Sequence, residues 1–141
     1  MKIKIISIGK VKERYIQQGI SEFLKRIGRF SSIEPVVIKD SMPKKETQAI
    51  LDKLNAEFVI ALDANGKQFS SVELAEFIRK NEKNIAIIIG NEDGLADEVK
   101  KKANLTLSLS RMTFTHEMAQ LFFLEQLYRA FSIIKNTGYH R

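Results

Sequence analysis

Short β-branched runs alternate with helix-patterned segments from one end of the chain to the other. Runs such as FVIAL and IAIII are apolar at every position, as expected of strands that are covered on both faces of a parallel sheet. The alternation predicts an α/β fold with a mostly parallel sheet and helices on both faces. A chain of 141 residues is long enough for one well-buried core, so we expect a single domain over residues 1–141.

The spacing of apolar residues predicts where each strand and helix lies. Ser70 and Glu73 have the spacing of a capping box, which begins a helix that buries Leu74, Phe77 and Ile78. The predicted strands are residues 2–9, 33–39, 58–62, 85–89 and 105–109, and the other predicted helices are residues 11–30, 44–54, 96–103 and 116–135.

The composition excludes several kinds of chemistry. The chain has no cysteine, which excludes disulfides and thiolate catalysis and fits a reducing cytoplasm, and with two histidines we expect no metal site. No apolar run reaches the roughly 20 residues that cross a bilayer, and the opening MKIKIISIGK indicates a strand rather than a signal peptide. We therefore expect a cytoplasmic protein without a membrane span. Its net charge of +6 would attract RNA, DNA or anionic lipid.

Ligands of parallel α/β sheets bind beyond the carboxyl ends of the strands, so the loops after Leu62, Ile89 and Leu109 are the candidates here. In the loop at 90–94, two glycines either let backbone N–H groups approach a ligand or only shape the turn. The loop matches neither the dinucleotide G-x-G-x-x-G pattern nor a P-loop. Its carboxylates, Glu92 and Asp93, suit a positively charged ligand such as a sulfonium.

The segment after the fifth strand mixes hydroxyl, thioether and aromatic side chains. Such a wall suits an adenine with its ribose, and the alternative is a strand end followed by Thr115 as the cap of the last helix. The segment consists of Leu109, Ser110, Arg111, Met112, Thr113 and Phe114, followed by Thr115 and His116.

The last helix is apolar on more than one face, so it is either buried within the domain or in contact with a second protomer. Glu125 and Arg129 are four residues apart, which fits a surface ion pair as well as a functional role. The terminal Tyr139, His140 and Arg141 form either a frayed end or a group that stacks on a base and holds a phosphate.

Together these segments resemble the ribosomal RNA large-subunit methyltransferase H family, a SPOUT-class family of pseudouridine N3-methyltransferases. The resemblance covers essentially the whole chain. It rests on MKIKIISIGK, LDANGKQFSS, IIIGNEDGL, LSLSRMTFTHEM, LEQLYRAFSII and the terminal YHR.

The resemblance implies a C-terminal part tied in a deep trefoil knot, which holds S-adenosylmethionine. It also implies a homodimer in which the tail of one protomer completes the partner's site, and a pseudouridine of 23S rRNA in assembled ribosomes as the substrate. The cofactor contacts would be Leu62, Gly90 and residues 109–114, and the substrate contacts Tyr139, His140 and Arg141.

Methylation of N3 requires that its proton leave, and a histidine near the base would assist this step. His140 is the first candidate and His116 the second, while Arg129 and Arg141 would bind phosphate or orient the base. No step requires a metal. Two alternatives are a non-enzymatic ribosome- or RNA-binding module and a nucleotide-binding enzyme of another α/β type.

Three positions depart from the family pattern. The family usually has glycine in place of Asn91, and proline in place of Thr115 and Gly138. Asparagine tolerates positive φ better than most residues, so the loop at 90–94 is expected to keep its shape. Thr115 and Gly138 lack the rigidity of proline, which affects the expected posture of the His116 segment and of the tail.

Overall fold

The computed structural model describes all 141 residues and contains five strands and five helices in strict alternation. This order confirms the α/β prediction. The elements are β1 Lys2–Ile8, α1 Arg14–Ile27, β2 Ser32–Ile38, α2 Pro43–Asp52, β3 Phe58–Gln68, α3 Ser71–Lys80, β4 Ile85–Ile89, α4 Asp97–Lys102, β5 Leu105–Ser108 and α5 His116–Lys135.

The five strands form one sheet in the order β2-β1-β4-β3-β5, and every neighbouring pair is parallel. The predicted parallel sheet is therefore confirmed. Because all strands run the same way, all of their carboxyl ends lie at one edge of the sheet, where the loops after β3, β4 and β5 become neighbours.

Helices cover both faces of the sheet, as predicted. Successive residues of a strand point to opposite faces, so Ile87 of β4 joins the core under α1, α3 and α5, whereas Ile88 joins the smaller core under α2 and α4. The larger core centres on Phe123 of α5, whose side chain is fully buried. None of the helices combines the length and the apolar character needed to cross a membrane.

β3 is longer than predicted. The local turn signal at 63–66 led us to end this strand at Leu62, but it continues to Gln68 beside β5. The pairing shifts register on the way, since Leu62 and Lys67 both pair with Leu107. Gly66 allows this approach, because a Cβ atom there would lie 2.6 Å from the carbonyl oxygen of Thr106.

The ends of α5 match the prediction. Thr115 caps it, with its hydroxyl accepting a hydrogen bond from the amide of Met118. The helix packs against both α1 and α3, so burial within the domain accounts for most of its apolar surface. Phe122 is the exception, with 43% of its surface exposed.

α1 begins at Arg14, later than predicted, because the residues before it are held by α5. The amides of Lys12 and Glu13 donate hydrogen bonds to the carboxylate of Glu117, at 3.0 and 3.2 Å. Glu117 is 8% exposed. The hydrogen bond from the Lys12 amide, together with that from the Glu13 amide, lowers the pKa of the Glu117 carboxyl from its ordinary value of 4.5. Burial raises this pKa, but by less than the hydrogen bonds lower it.

This lowered pKa predicts an acid-dependent contribution to stability. A carboxyl with a lowered folded-state pKa stabilises the fold above its unfolded-state pKa, and the contribution disappears as pH falls through the folded-state value. We expect Glu117→Gln to lower the free energy of unfolding by about 1–3 kcal/mol at neutral pH, because one amide loses its acceptor. Urea unfolding between neutral pH and about pH 3.5 should show this difference shrinking below the unfolded-state value of 4.5.

The matched control is Glu34→Gln on the exposed side of β2, which should change stability little at any pH. A Glu117→Gln cost that stays constant over the whole pH range would contradict this account of the carboxylate.

Candidate functional site

A cavity of about 530 Å³ opens at the carboxyl edge of the sheet, beside the middle of β3 and the ends of β4 and β5. Its volume lies within the range of about 300–1,000 Å³ that is usual for small-molecule sites. The three segments selected from the sequence therefore line one cavity, although the segment after Leu62 is part of β3 rather than a loop. The cavity is lined by Leu62, Asp63, Ala64, Ile89, Gly90, Asn91, Glu92, Gly94, Leu109, Ser110, Met112, Thr113, Phe114, Thr115, His116 and Ala119.

The structure gathers most of the residues that were expected to hold the cofactor. Arg111 is the exception, since it is exposed and does not line the cavity. Asp63, Ala64, Ile89 and Ala119 were missed. Asp63 and Ile89 flank the predicted Leu62 and Gly90, and Ala119 lies one turn into α5 from His116, so inspection of immediate neighbours would have found them. The expected residues that do line the cavity are Leu62, Gly90, Leu109, Ser110, Met112, Thr113 and Phe114.

The loop at 90–94 folds back on itself at the floor of the cavity. The amide of Gly94 donates to the carbonyl of Asn91, and the amide of Asp93 donates to the Asn91 side chain. A Cβ atom on Gly90 would lie 2.9 Å from the carbonyl carbon of Gly94, so the loop can close this tightly only around a glycine. Gly94 has φ +79°, which also favours glycine.

The wall that follows β5 is held by short local bonds. The Ser108 hydroxyl donates to the carbonyl of Ser110, and the Ser110 hydroxyl accepts from the amide of Met112. Phe114 packs edge-on against Phe122, with ring centroids 5.1 Å apart. The Met112 side chain is 76% exposed at the cavity mouth, so this thioether is free to contact a ligand.

The charges along the cavity are one-sided. Asp63 and Glu92 supply carboxylates, and no lysine or arginine lines the cavity. Asp63 is partly compensated by Lys100, at 3.4 Å, whereas Glu92 is exposed and makes no ion pair. Nδ1 of His116 is buried and has no hydrogen-bond partner in the protein. The carboxylates of the cavity thus favour a cationic ligand.

The tail is bound to α5 rather than frayed. The Glu125 carboxylate accepts from Nε and a terminal nitrogen of Arg129, at 3.1 and 2.9 Å, and from the Tyr139 hydroxyl, at 3.2 Å. The other terminal nitrogen of Arg129 lies 3.2 Å from Nδ1 of His140. We call Glu125, Arg129, Tyr139 and His140 the tail cluster. Arg141 is exposed beyond it.

Ionisation in the tail cluster supports these bonds. Hydrogen bonds with Glu125 raise the pKa of the Arg129 guanidinium. Burial, and then the neighbouring Glu125 carboxylate, raise the pKa of the Tyr139 phenol, so its hydroxyl stays protonated and donates. The expected Glu125–Arg129 pair is therefore present and is also the anchor of the tail.

A second cavity, of about 650 Å³, lies beside the first and reaches Glu125 of the tail cluster. It runs between α3 and α5 and shares Leu109 and Phe114 with the first. Its walls also include the rings of Phe69 and Phe122. The second cavity thus places aromatic side chains next to the cation-favouring cavity.

Comparison with known proteins identifies the family. A family model described as "Predicted SPOUT methyltransferase" matches residues 1–140. A "Ribosomal RNA large subunit methyltransferase H" of Caldicellulosiruptor bescii is 41% identical, over 99% of this chain and 99% of that protein. Proteins of the same name from Symbiobacterium thermophilum and Streptococcus thermophilus are 40% and 38% identical, each over the full length of both chains. The chain belongs to the SPOUT methyltransferase family.

Two solved structures share the fold. A probable methylase family protein from Haemophilus influenzae matches with a TM-score of 0.60 at 17% identity, over 99% of this chain and 70% of that one. The tRNA (m1G37) methyltransferase from Aquifex aeolicus matches with a TM-score of 0.58 at 16% identity, over 92% and 70%. At these identities the likeness concerns the fold alone.

Two of the positions at which the sequence was expected to depart from the family pattern have a structural role. Gly138 has φ +85°, which proline cannot adopt, so glycine sets the direction in which the tail returns to α5. Asn91 does not have a positive φ, so its expected tolerance of that conformation is not used. Instead its side chain also donates to the buried Glu46, at 3.4 Å.

The two glycines of the SPOUT methyltransferase loop predict different mutational effects. Gly90→Ala places a methyl group against backbone, so we expect the 90–94 loop to move, at a cost of about 1–3 kcal/mol. Gly94→Ala meets no atom within 4 Å and should cost about 1 kcal/mol from its positive φ alone, with the loop in place. Amide chemical shifts of residues 91–95 and urea unfolding measure both effects, and equal loop displacement in the two variants would contradict this distinction.

Proposed function

We propose that this chain uses S-adenosylmethionine to methylate N3 of a pseudouridine in 23S rRNA, acting in the cytoplasm on assembled ribosomes. The names of the relatives support rRNA as the substrate. The observation that carries the proposal is the cavity beside β3 and the ends of β4 and β5, which is of ligand size and lined by carboxylates without any lysine or arginine.

The residues of the cavity fit this cofactor. The backbone of Gly90 lies close to that of Gly94, and a Cβ atom at Gly90 would change the shape of the loop. Ser110 and Thr113 supply hydroxyls for a ribose, and Leu62, Leu109 and Phe114 supply an apolar wall for an adenine.

When bound, S-adenosylmethionine supplies a methyl group on a positively charged sulfur, which an aligned nucleophile can displace in line. The protein's part is to hold the acceptor close to that methyl group, which lowers the barrier without a covalent enzyme intermediate. Asp63 and Glu92 would favour the charged cofactor over its neutral product. The second cavity, with Phe69 and Phe122 in its walls, would hold the acceptor base beside it.

RNA binding is supported by a group of unpaired cations at the same edge of the sheet. They follow β1 and β2, are exposed and form no ion pair in the protein. Phosphates of RNA are the natural partners of such a group. We call these residues the basic edge: Lys10, Lys12, Arg14, Lys39, Lys44 and Lys45.

A homodimer and a trefoil knot belong to the proposal. The expected role of a tail in the partner's site requires that α5 or its surroundings meet a second protomer. The exposed rings of Tyr15 on α1 and Phe122 on α5, with 59% and 43% of their surface accessible, support an interface on this side of the molecule. Single-domain organisation over residues 1–141 is proposed with them.

The two alternatives make different demands on the cavity. A nucleotide-binding enzyme would have to place phosphates against Asp63 and Glu92 with no lysine or arginine in the cavity lining to offset them, which costs free energy. An RNA-binding module without a cofactor would use the basic edge and leave the cavity without a role. Mass spectrometry of 23S rRNA from a strain that lacks the gene is the direct test, and an unchanged set of methylated nucleotides would refute the proposed function.

Glu92 provides a test of cofactor charge. S-adenosylhomocysteine lacks the positive charge of S-adenosylmethionine, so we expect Glu92→Gln to weaken the methyl donor by about three- to tenfold and the product hardly at all. Calorimetric titration of both ligands measures the two affinities. The matched control is Glu98→Gln on α4, outside the cavity lining, which should change neither. Equal losses for donor and product would remove charge as the reason for the carboxylate.

The basic edge predicts a specific salt dependence. The logarithm of the binding constant for large ribosomal subunits falls linearly with the logarithm of salt concentration, by about 0.7–0.9 per phosphate contact. We expect Lys44→Ala/Lys45→Ala to weaken binding and to make this slope shallower by about 1.4–1.8. Lys53→Ala/Lys83→Ala removes two exposed lysines near the opposite edge and is the charge-matched control. The same change in slope for both pairs would mean that net charge alone governs binding.

A further inference from the structure

The tail cluster determines the tautomer of His140. A guanidinium donates hydrogen bonds and cannot accept them, and Arg129 keeps its proton because Glu125 is bound to it. Across the 3.2 Å contact, Nδ1 of His140 must therefore be the acceptor. A neutral imidazole that accepts at Nδ1 carries its proton on Nε2.

We propose that Arg129 is a positioning residue that fixes His140 as the Nε2–H tautomer, so that His140 acts on the substrate as a hydrogen-bond donor. The inference rests on the proposed function for the identity of the substrate. It differs from the expected role of His140, because a ring with Nδ1 engaged and Nε2 protonated has no free lone pair to take a proton.

The chemistry of the acceptor base gives such a donor a purpose. When N3 loses its proton to water, negative charge spreads onto the carbonyl oxygens on either side of it. The electron pair left on N3 then forms the new bond to the methyl carbon as the bond from carbon to sulfur breaks. The Nε2–H group of His140 would donate to one of these oxygens and stabilise the charge, as the donors of an oxyanion hole do.

Glu125 positions Arg129 and the tail, and it acts on His140 through them. Its carboxylate binds both Arg129 and the Tyr139 hydroxyl, so one side chain holds the guanidinium at His140 and the backbone that carries His140. Arg129 also lies over the Tyr139 ring, 4.8 Å from its centre. These contacts are all within one chain, so they hold the His140 ring without a contribution from a second protomer.

The tautomer can be measured on the isolated chain without substrate. We expect ¹⁵N NMR at about pH 8, where an ordinary imidazole is neutral, to show a protonated Nε2 and an unprotonated Nδ1 for His140. Arg129→Met removes the donor and should produce a mixture of tautomers. Arg26→Met removes a guanidinium that pairs with Glu22 and lies near Tyr128, and it should leave His140 unchanged. A dominant Nδ1–H form in the unmodified protein would overturn the proposal.

Turnover separates a donor from a proton acceptor. Glutamine carries an N–H group close to the position of Nε2–H but cannot take a proton, so we expect His140→Gln to keep kcat within about tenfold and His140→Ala to lose about 10²–10³-fold. A His140→Gln enzyme as slow as His140→Ala would overturn the donor role. If the gene-deletion strain shows unchanged rRNA, the proposed function fails while the NMR result stands, so the two failures are distinguishable.

Discussion

The close pairing of β3 with β5 is the constraint on which the site depends. β3 continues past its partner β4, and the lack of a side chain at Gly66 lets its backbone lie against Thr106. This contact holds the exit of β5 next to β3 and the end of β4. The segment that follows β5 is held around Ser110 only by hydrogen bonds between residues two positions apart. Without the β3–β5 pairing, this wall of the cavity would have no fixed position.

The sequence predicts the parts of the fold that local chemistry decides. The capping box at Ser70 and the cap at Thr115 are local, and both helices begin where expected. The ends that differ are decided by distant residues. β3 extends because β5 lies beside the apparent turn, and α1 starts late because Glu117, 104 residues from Glu13 along the chain, holds the preceding amides. Neither contact produces a periodic pattern in the sequence from which it could be predicted.

The cavity could be predicted because parallel strands end at one edge, whereas individual side chains on its irregular wall could not. Arg111 and Met112 are adjacent, yet only Met112 lines the cavity, and no periodicity separates them in a segment without regular structure. The spacing of Glu125 and Arg129 indicated their pair, but the return of the tail onto that pair accompanies a positive φ at Gly138, which the sequence does not predict.

The proposed reaction brings a cationic cofactor and a polyanionic RNA to one edge of the sheet, and the two need surroundings of opposite charge. In the order β2-β1-β4-β3-β5, β1 and β2 are neighbours, and so are β3 and β4. The loops after the first pair carry the unpaired lysines of the basic edge, whereas Asp63 within β3 and Glu92 after β4 line the cavity. The carboxylates of the cavity thus lie on a different part of the edge from these lysines. Phosphate can bind on one part without neutralising the carboxylates that favour a sulfonium on the other, and the acceptor base need only cross the boundary between them.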